Sequence, residues 1–205
     1  MTVPRYQYNT LLTFGALKQD QSAYDRAGAV VLPVPLERTT SYVAGTRNGP
    51  REILLASGQI ELWDEETCTP ASNLAVFTLP EMELPFGTLE GALDEIRRVA
   101  GEVLDAGKFL IALGGEHSLT IPLVEAVASR HPGLAVLQID AHADLRDTYM
   151  GSRFSHASVM RRVLERARCT QVAVRSLSEE EARAISSLPT TMFCDVRMRE
   201  DPRWM

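Results

Sequence analysis

Short apolar runs alternate along the chain with stretches whose apolar residues recur every three or four positions, and this alternation predicts most of the elements. Ala29-Val30-Val31-Leu32 is β-branched, apolar and closed by Pro33 and Pro35, so a first strand is expected there. From Leu36 to Asn48 apolar residues are few. Gly49-Pro50 then sets a proline where a helix accepts one, in its first turn ahead of Ile53-Leu54-Leu55. Leu74 to Leu79 predicts another strand. Leu89, Leu93, Ile96, Val99, Ala100 and Val103 fall at helical spacing and form one buried face, in a helix that ends near Gly107. Phe109-Leu110-Ile111-Ala112-Leu113 follows as a continuous apolar run of strand length, the pattern of a strand covered on both faces of a parallel sheet, and Gly114-Gly115 breaks it.

The second half repeats the alternation. Thr120 and Pro122 open a helix through Leu123, Val124 and Val127 that closes at the turn His131-Pro132-Gly133. Leu134 to Ile139 is the next strand, and a loop of about a dozen residues separates it from a helix near Ala157 to Ala167. Structureless loops of that length are usually functional or disordered, and this one is expected to be functional. Gln171-Val172-Ala173-Val174 is a further strand, Ser178 and Glu181 make a capping box for a helix through Ile185, and Thr191 to Cys194 is a last short strand. Asp201-Pro202 carries a helix-start signature at the very end. Repeated β-α-β units imply a mainly parallel sheet with helices on its faces.

Composition narrows the class. At roughly 150 residues per domain, 205 residues make one α/β-sized domain, and no linker or repeat divides residues 1–205. Hydrophobic residues at 45% and charged residues at 23% are enough for a globular core, while no apolar run is long enough to span a membrane. The net charge of −6, with no basic cluster longer than Arg161-Arg162, gives phosphate backbones nothing to hold, so nucleic acid is excluded as a partner. The three cysteines, Cys68, Cys169 and Cys194, are widely spaced and form no Cys-x-x-Cys pair, which fits a reducing cytoplasm. Met1 to Thr10 has no apolar segment of the kind a secretory signal needs.

Two constellations carry candidate chemistry. Asp140-Ala141-His142-Ala143-Asp144 follows an apolar strand directly, at the carboxyl end where open α/β sheets place their ligands. If the segment stays extended, the side chains of Asp140, His142 and Asp144 point to one side and offer two carboxylates and an imidazole. The alternative is a polar loop whose acids cap the following element. Gly114-Gly115-Glu116-His117-Ser118 occupies the same position after another strand, and its glycines permit a tight turn that aims His117 over the sheet; alone, it reads more readily as a glycine turn with a capping serine and a solvated histidine, and the two elements together reverse that preference. Carboxylates and imidazoles without thiolate favour manganese over zinc or an iron–sulfur centre. His156 stands near a helix start in the long loop, either as a surface histidine or as a general acid/base beside a metal.

The two motifs, read as Gly114-Gly115-Glu116-His117-Ser118 and Asp140-Ala141-His142-Ala143-Asp144-Leu145-Arg146-Asp147, resemble the first two metal-binding signatures of the ureohydrolases, the arginase and agmatinase family. The segment Thr40 to Arg51 is similar to that family's N-terminal loop, with Thr39 where the pattern usually has glycine, and Phe154-Ser155-His156-Ala157-Ser158 resembles the agmatinase segment bearing the catalytic histidine. The resemblance implies a three-layer αβα fold with a mainly parallel sheet, arginase-like. It implies two manganese ions, one held by His117, Asp140 and Asp144 and the other by Asp140 with His142, and a proton shuttled by His156. The implied reaction is attack of metal-bound hydroxide on the carbon of a small-molecule guanidino substrate, with agmatine giving putrescine and urea. Arginase, guanidinobutyrase and formimidoylglutamase activities belong to the same fold. A homo-oligomer is also implied.

The resemblance departs at the carboxyl end. Family members continue into an Asp-x-Asp signature with two more ligands and then a guanidinium-binding glutamate, and Asp195-Val196-Arg197 is not that motif. The expectation is a C-terminally truncated domain whose remaining strands are split by the loss of the family's central ones, leaving unpaired ladder groups. Such a chain is expected to bind metal weakly, or to act beside a full-length subunit.

Overall fold

The computed structural model describes residues 3–6, 12–19, 21–70, 73, 75–201 and 203. The chain divides into two compact units, Met1–Leu119 and Thr120–Met205. In the first, the elements run α1 (Gln21–Arg26), β1 (Ala29–Val34), α2 (Gly49–Ser57), β2 (Trp63–Asp64), β3 (Thr69–Pro70), β4 (Val76–Thr78), α3 (Leu89–Asp105) and β5 (Phe109–Gly114). β1 is the centre of a three-stranded sheet in the order β4-β1-β5, parallel on both sides, while β2 and β3 form a small antiparallel pair.

A proline inside a central strand needs a reason, because it cannot donate to the ladder. Register supplies it. The carbonyls of Val31 and Pro33 accept from Leu79 and Met82, so Pro33 faces the β4 side, and pairing with β4 ends at Val31↔Thr78. The missing N–H therefore falls where the neighbouring strand has already stopped.

α3 is built as its spacing predicts. The Thr88 hydroxyl caps it by accepting from the Gly91 N–H at 3.1 Å, Leu93, Ile96, Val99, Ala100 and Val103 are buried, and the outer face carries the Asp94–Arg97 and Glu95–Arg98 ion pairs. Just beyond it, the buried Lys108 ammonium donates to the carbonyls of Tyr24, Asp25 and Ala27 at 2.9, 3.1 and 2.7 Å and lies over the Tyr24 ring. It thereby satisfies the carbonyl end of α1, where a cation is favoured, and ties that helix to the start of β5.

The second unit contains α4 (Thr120–Ala128), β6 (Ala135–Ile139), α5 (Val159–Val163), β7 (Arg168–Val174), α6 (Glu179–Ala184), β8 (Thr190–Cys194) and α7 (Asp195–Glu200). Its sheet is β6-β7-β8, parallel throughout. Ile121 and Val124 of α4, Val159, Met160 and Val163 of α5, and Cys169 and Val174 of β7 close around Leu145 as its core.

The α/β class with parallel sheets is as expected, in two three-stranded sheets. Several expectations are corrected. β5 is not covered on both faces: Phe109 is 70% exposed and Ile111 is exposed on the same face, and among the described residues the strand pairs with β1 alone. The expected helix Ala157 to Ala167 is a 3-10 turn, His156–Ser158, followed by α5, which ends at Val163. A helix that the pattern did not announce, α7, starts at Asp195, stabilised by the Asp195–Arg199 ion pair one turn apart; Asp201 follows its end and its carboxylate accepts the Arg203 N–H at 3.0 Å, as a helix-capping acid does, with Arg203 in a 3-10 turn. Pro202 of that signature, Leu74 of the expected strand and Met1, Thr2 and 7–10 of the amino-terminal segment lie outside the described residues. Among the described residues no helix is long and apolar enough to cross a membrane.

Candidate metal centre

At the end of β5 the chain leaves the sheet through Gly114 and Gly115. A side chain at 115 would bring a Cβ within 2.1 Å of the Leu36 carbonyl oxygen, so this turn requires glycine for close backbone approach. The turn is held by the Gly115 and Glu116 N–H groups, which donate to the carbonyls of Val34 and Leu36 at 3.0 and 2.8 Å. Glu116 is buried beneath it. Its carboxylate accepts the N–H groups of Arg38 (2.6 Å) and Thr39 (2.7 Å), the Thr39 hydroxyl (2.8 Å) and the Ser118 hydroxyl. Burial alone would raise its pKa, but those hydrogen bonds outweigh it and hold the carboxyl below its ordinary range. Glu116 thus binds the segment after β1 to the turn that carries His117, and His117 itself opens a 3-10 turn, His117–Leu119. Glu37, exposed, accepts from the N–H groups of Gly45 (2.7 Å) and Arg47 (3.0 Å) and closes the following loop on itself.

In the second unit the segment after β6 extends the ladder for three residues. The Asp140 N–H donates to Val172, the Ala141 carbonyl accepts from Arg175 and Ser176 at 2.9 Å each, and the Ala143 N–H donates to Ser176. Asp140 folds its own carboxylate back, accepting from the His142 N–H at 2.7 Å and lying 3.2 Å from His142 Nδ1. The extended path stops at Asp144, whose φ is +51°. Aspartate is among the few residues that tolerate this left-handed conformation. The three side chains therefore do not form the single extended row anticipated from alternation: Asp144 is buried, while the His142 side chain is 64% exposed. Below the loop, the fully buried Gln171 amide donates to Gln138 Oε1 (2.6 Å) and to the Ala143 carbonyl (2.7 Å), and its own oxygen accepts from the Thr190 hydroxyl (3.1 Å). All its polar atoms are used, which is what a buried amide needs.

In the second unit Asp140 and Asp144 each offer a carboxylate oxygen, and these atoms lie within 4.8 Å of each other; in the first, His117 offers an imidazole nitrogen, and all three residues are half-exposed or less. One imidazole nitrogen and two carboxylate oxygens suit a borderline-to-hard divalent ion, and this donor set fits one such ion. His142 stands outside that group among the described residues. His156 lies in its own helical turn with its ring edge-on to Tyr149, 5.4 Å between centroids. His131 is in the turn after α4 and meets none of these residues in the group.

The supporting side chains were not assigned roles from the pattern. Gln138 and Gln171 are visible in hindsight as single amides inside apolar strands, and Glu116 as an acid between a glycine pair and a histidine. Glu181 was read only as part of a capping box.

Parallel strands with carboxylates just beyond a strand's carboxyl end, where open sheets place their ligands, define an α/β protein with a candidate metal site. Within that class, the chain belongs to the arginase family, whose model matches residues 27–202. It is 37% identical over 192 residues to N(1)-aminopropylagmatine ureohydrolase of Synechocystis sp., covering 90% of this chain and 62% of that protein. It is 34% identical over 143 residues to agmatinase of Bacillus anthracis, covering 70% of this chain and 49% of that one. The solved structure of agmatine ureohydrolase of Thermoplasma volcanium superposes with a TM-score of 0.82 at 29% identity, over 94% of this chain and 64% of the other. The chain thus spans less than two thirds of the length of each of these proteins.

Proposed function

We propose that the chain carries the metal-binding part of a ureohydrolase acting on a linear guanidino amine, agmatine or its aminopropyl derivative, with manganese as the ion. The closeness of the Asp140 and Asp144 carboxylates carries this reading, and the names of the relatives favour these substrates over arginine. His117 and the two aspartates would hold the ion, and Asp140 with His142 would contribute to a second. Bound there, a divalent ion supplies Lewis acidity that brings the pKa of water towards neutrality. The residues of the chain do the rest. His156 would give a proton to the departing amine nitrogen as the oxygen of a water bonds to the guanidinium carbon and the bond from that carbon to the amine nitrogen breaks, releasing urea.

The test is urea release by the 205-residue chain with agmatine, N(1)-aminopropylagmatine and arginine, with and without manganese. Manganese-dependent release from the first two, abolished by Asp144→Ala and reduced about 10²-fold or more by His156→Ala, is the expected result. Release from arginine alone would overturn the substrate assignment. A second reading, a ureohydrolase-like chain that binds metal without turnover, is favoured by the exposed His142 lying outside the ligand group among the described residues. Metal uptake lost in His117→Ala, with no urea from any of the three substrates, would establish it.

A further inference from the structure

The capping box that opens α6 does more than close a helix. Glu181 Oε2 accepts the Ser178 N–H (2.7 Å) and hydroxyl (2.8 Å), and the Glu181 N–H returns a bond to Ser178 Oγ (3.3 Å). That completes the reciprocal motif with one carboxylate oxygen. The other, Oε1, accepts the N–H of Leu145 at 2.8 Å, across 36 residues of sequence. Capping-box acids are commonly at the surface, yet Glu181 is only 4% exposed, with the Arg146 guanidinium 3.9 Å away to balance its charge.

The residue it reaches is the one after Asp144. The carbonyl of Asp144 and the N–H of Leu145 belong to one peptide group. The carbonyl accepts from the N–H groups of Met160 (2.9 Å) and Arg161 (3.3 Å) at the start of α5, and the N–H is taken by Glu181. This peptide plane is therefore gripped at both polar ends, immediately beyond the left-handed residue. Asp144 cannot relax to an extended conformation without rotating the plane and breaking one grip. A buried N–H left without an acceptor is costly, so the plane stays put.

We propose that Glu181 is a positioning residue for the metal site: through the Leu145 N–H it keeps Asp144 in its left-handed conformation, and so keeps the Asp144 carboxylate beside that of Asp140. This rests on the reading of Asp144 as a metal ligand. Residues that orient ligands from behind typically change metal affinity 10–100-fold when removed.

Two substitutions separate the two jobs of the side chain. Glu181→Gln keeps the shape but has one acceptor oxygen for two N–H groups. Ser178→Ala removes the cap hydroxyl and leaves the bond to Leu145 intact. Binding of Mn(II) by titration calorimetry and the visible absorption of the Co(II) form are measured on the full chain, with Asp144→Ala as reference. Glu181→Gln is expected to weaken Mn(II) binding about tenfold or more, to shift the Co(II) bands and to speed hydrogen exchange at the Leu145 amide. Ser178→Ala is expected to melt earlier, with affinity unchanged within about twofold and the same Co(II) spectrum. If Glu181→Gln does not fold, Glu181→Asp, which keeps both oxygens on a shorter arm, is read in the same way. Should Asp144→Ala bind as well as the unaltered chain, or the unaltered chain take up neither ion, the metal reading fails and the tether falls with it. Should Asp144→Ala lose the ion while Glu181→Gln retains it with an unshifted spectrum, the tether alone is wrong. It is equally wrong if Ser178→Ala loses as much affinity as Glu181→Gln.

Discussion

Cys169 and Cys68 carry the same thiol in opposite settings. Cys169 sits in the core of the second unit on β7, and burial pushes its pKa from 9.0 up to about 11. Cys68 is exposed in the turn between β2 and β3, at a φ of +52°. At mildly alkaline pH, iodoacetamide is expected to label Cys68 at once and Cys169 only after denaturant is added, read by peptide mass spectrometry. Fast labelling of Cys169 in the native chain would contradict its burial. The shift also has a sign for stability. The fold favours the neutral thiol, so the contribution of Cys169 is whole below pH 9, where the unfolded thiol is still protonated, and is lost as pH rises towards about 11. Urea unfolding across that window is expected to show a steeper loss in the unaltered chain than in Cys169→Ala, and equal slopes would refute the assignment.

At the level of elements, the turn after β5 gives the sharpest expectation. A Cβ on Gly115 meets a backbone oxygen, not the end of a flexible side chain, so Gly115→Ala must move the segment after β1. Overpacking of this kind costs about 1–3 kcal/mol, and the substitution is expected at the upper end, with a lowered melting temperature and the hydrogen bonds between Glu116 and Thr39 loosened. A melting temperature equal to that of the unaltered chain would show that the close approach does not constrain the turn. This turn was legible in the sequence, because a glycine pair after an apolar run has few other uses. So were β1, α3 and the capping box, where spacing and chemistry speak locally. The path of the loop after β6 was not: alternation places Asp140, His142 and Asp144 on one side, and only the grip on the 144–145 peptide by α5 and Glu181 explains why Asp144 departs from it. Glu116 and Glu181 were hidden for the same reason, since their partners lie 78 and 36 residues away and no local pattern encodes them. The exposure of β5 was missed because an apolar run tells which residues seek cover without telling what covers them.

On the scale of the whole molecule, each unit has, among its described residues, an edge strand that shows large apolar side chains. In the first, β5 pairs with β1 alone and shows Phe109 and Ile111; in the second, β6 pairs with β7 alone and shows Leu137 (63% exposed) and Ile139 (75%). Natural edge strands are usually blunted by charge, proline or brevity. Neither of these is: Phe109 to Gly114 and Ala135 to Ile139 contain no charged residue and no proline, whereas β4, at the other edge of the first sheet, has three residues and is followed within two by Pro80. Unpaired N–H and carbonyl groups beside exposed apolar side chains are a template for another strand, so the isolated chain is expected to associate as its concentration rises. Sedimentation velocity from low micromolar to high micromolar chain should show the shift to larger species. Phe109→Lys and Leu137→Lys, each placing a cation on one open edge, should each reduce it while changing the stability of the chain by no more than about 0.5 kcal/mol, because both side chains already face solvent. A chain that stays monomeric throughout, or association untouched by either lysine, would mean that these edges are not what holds the copies together.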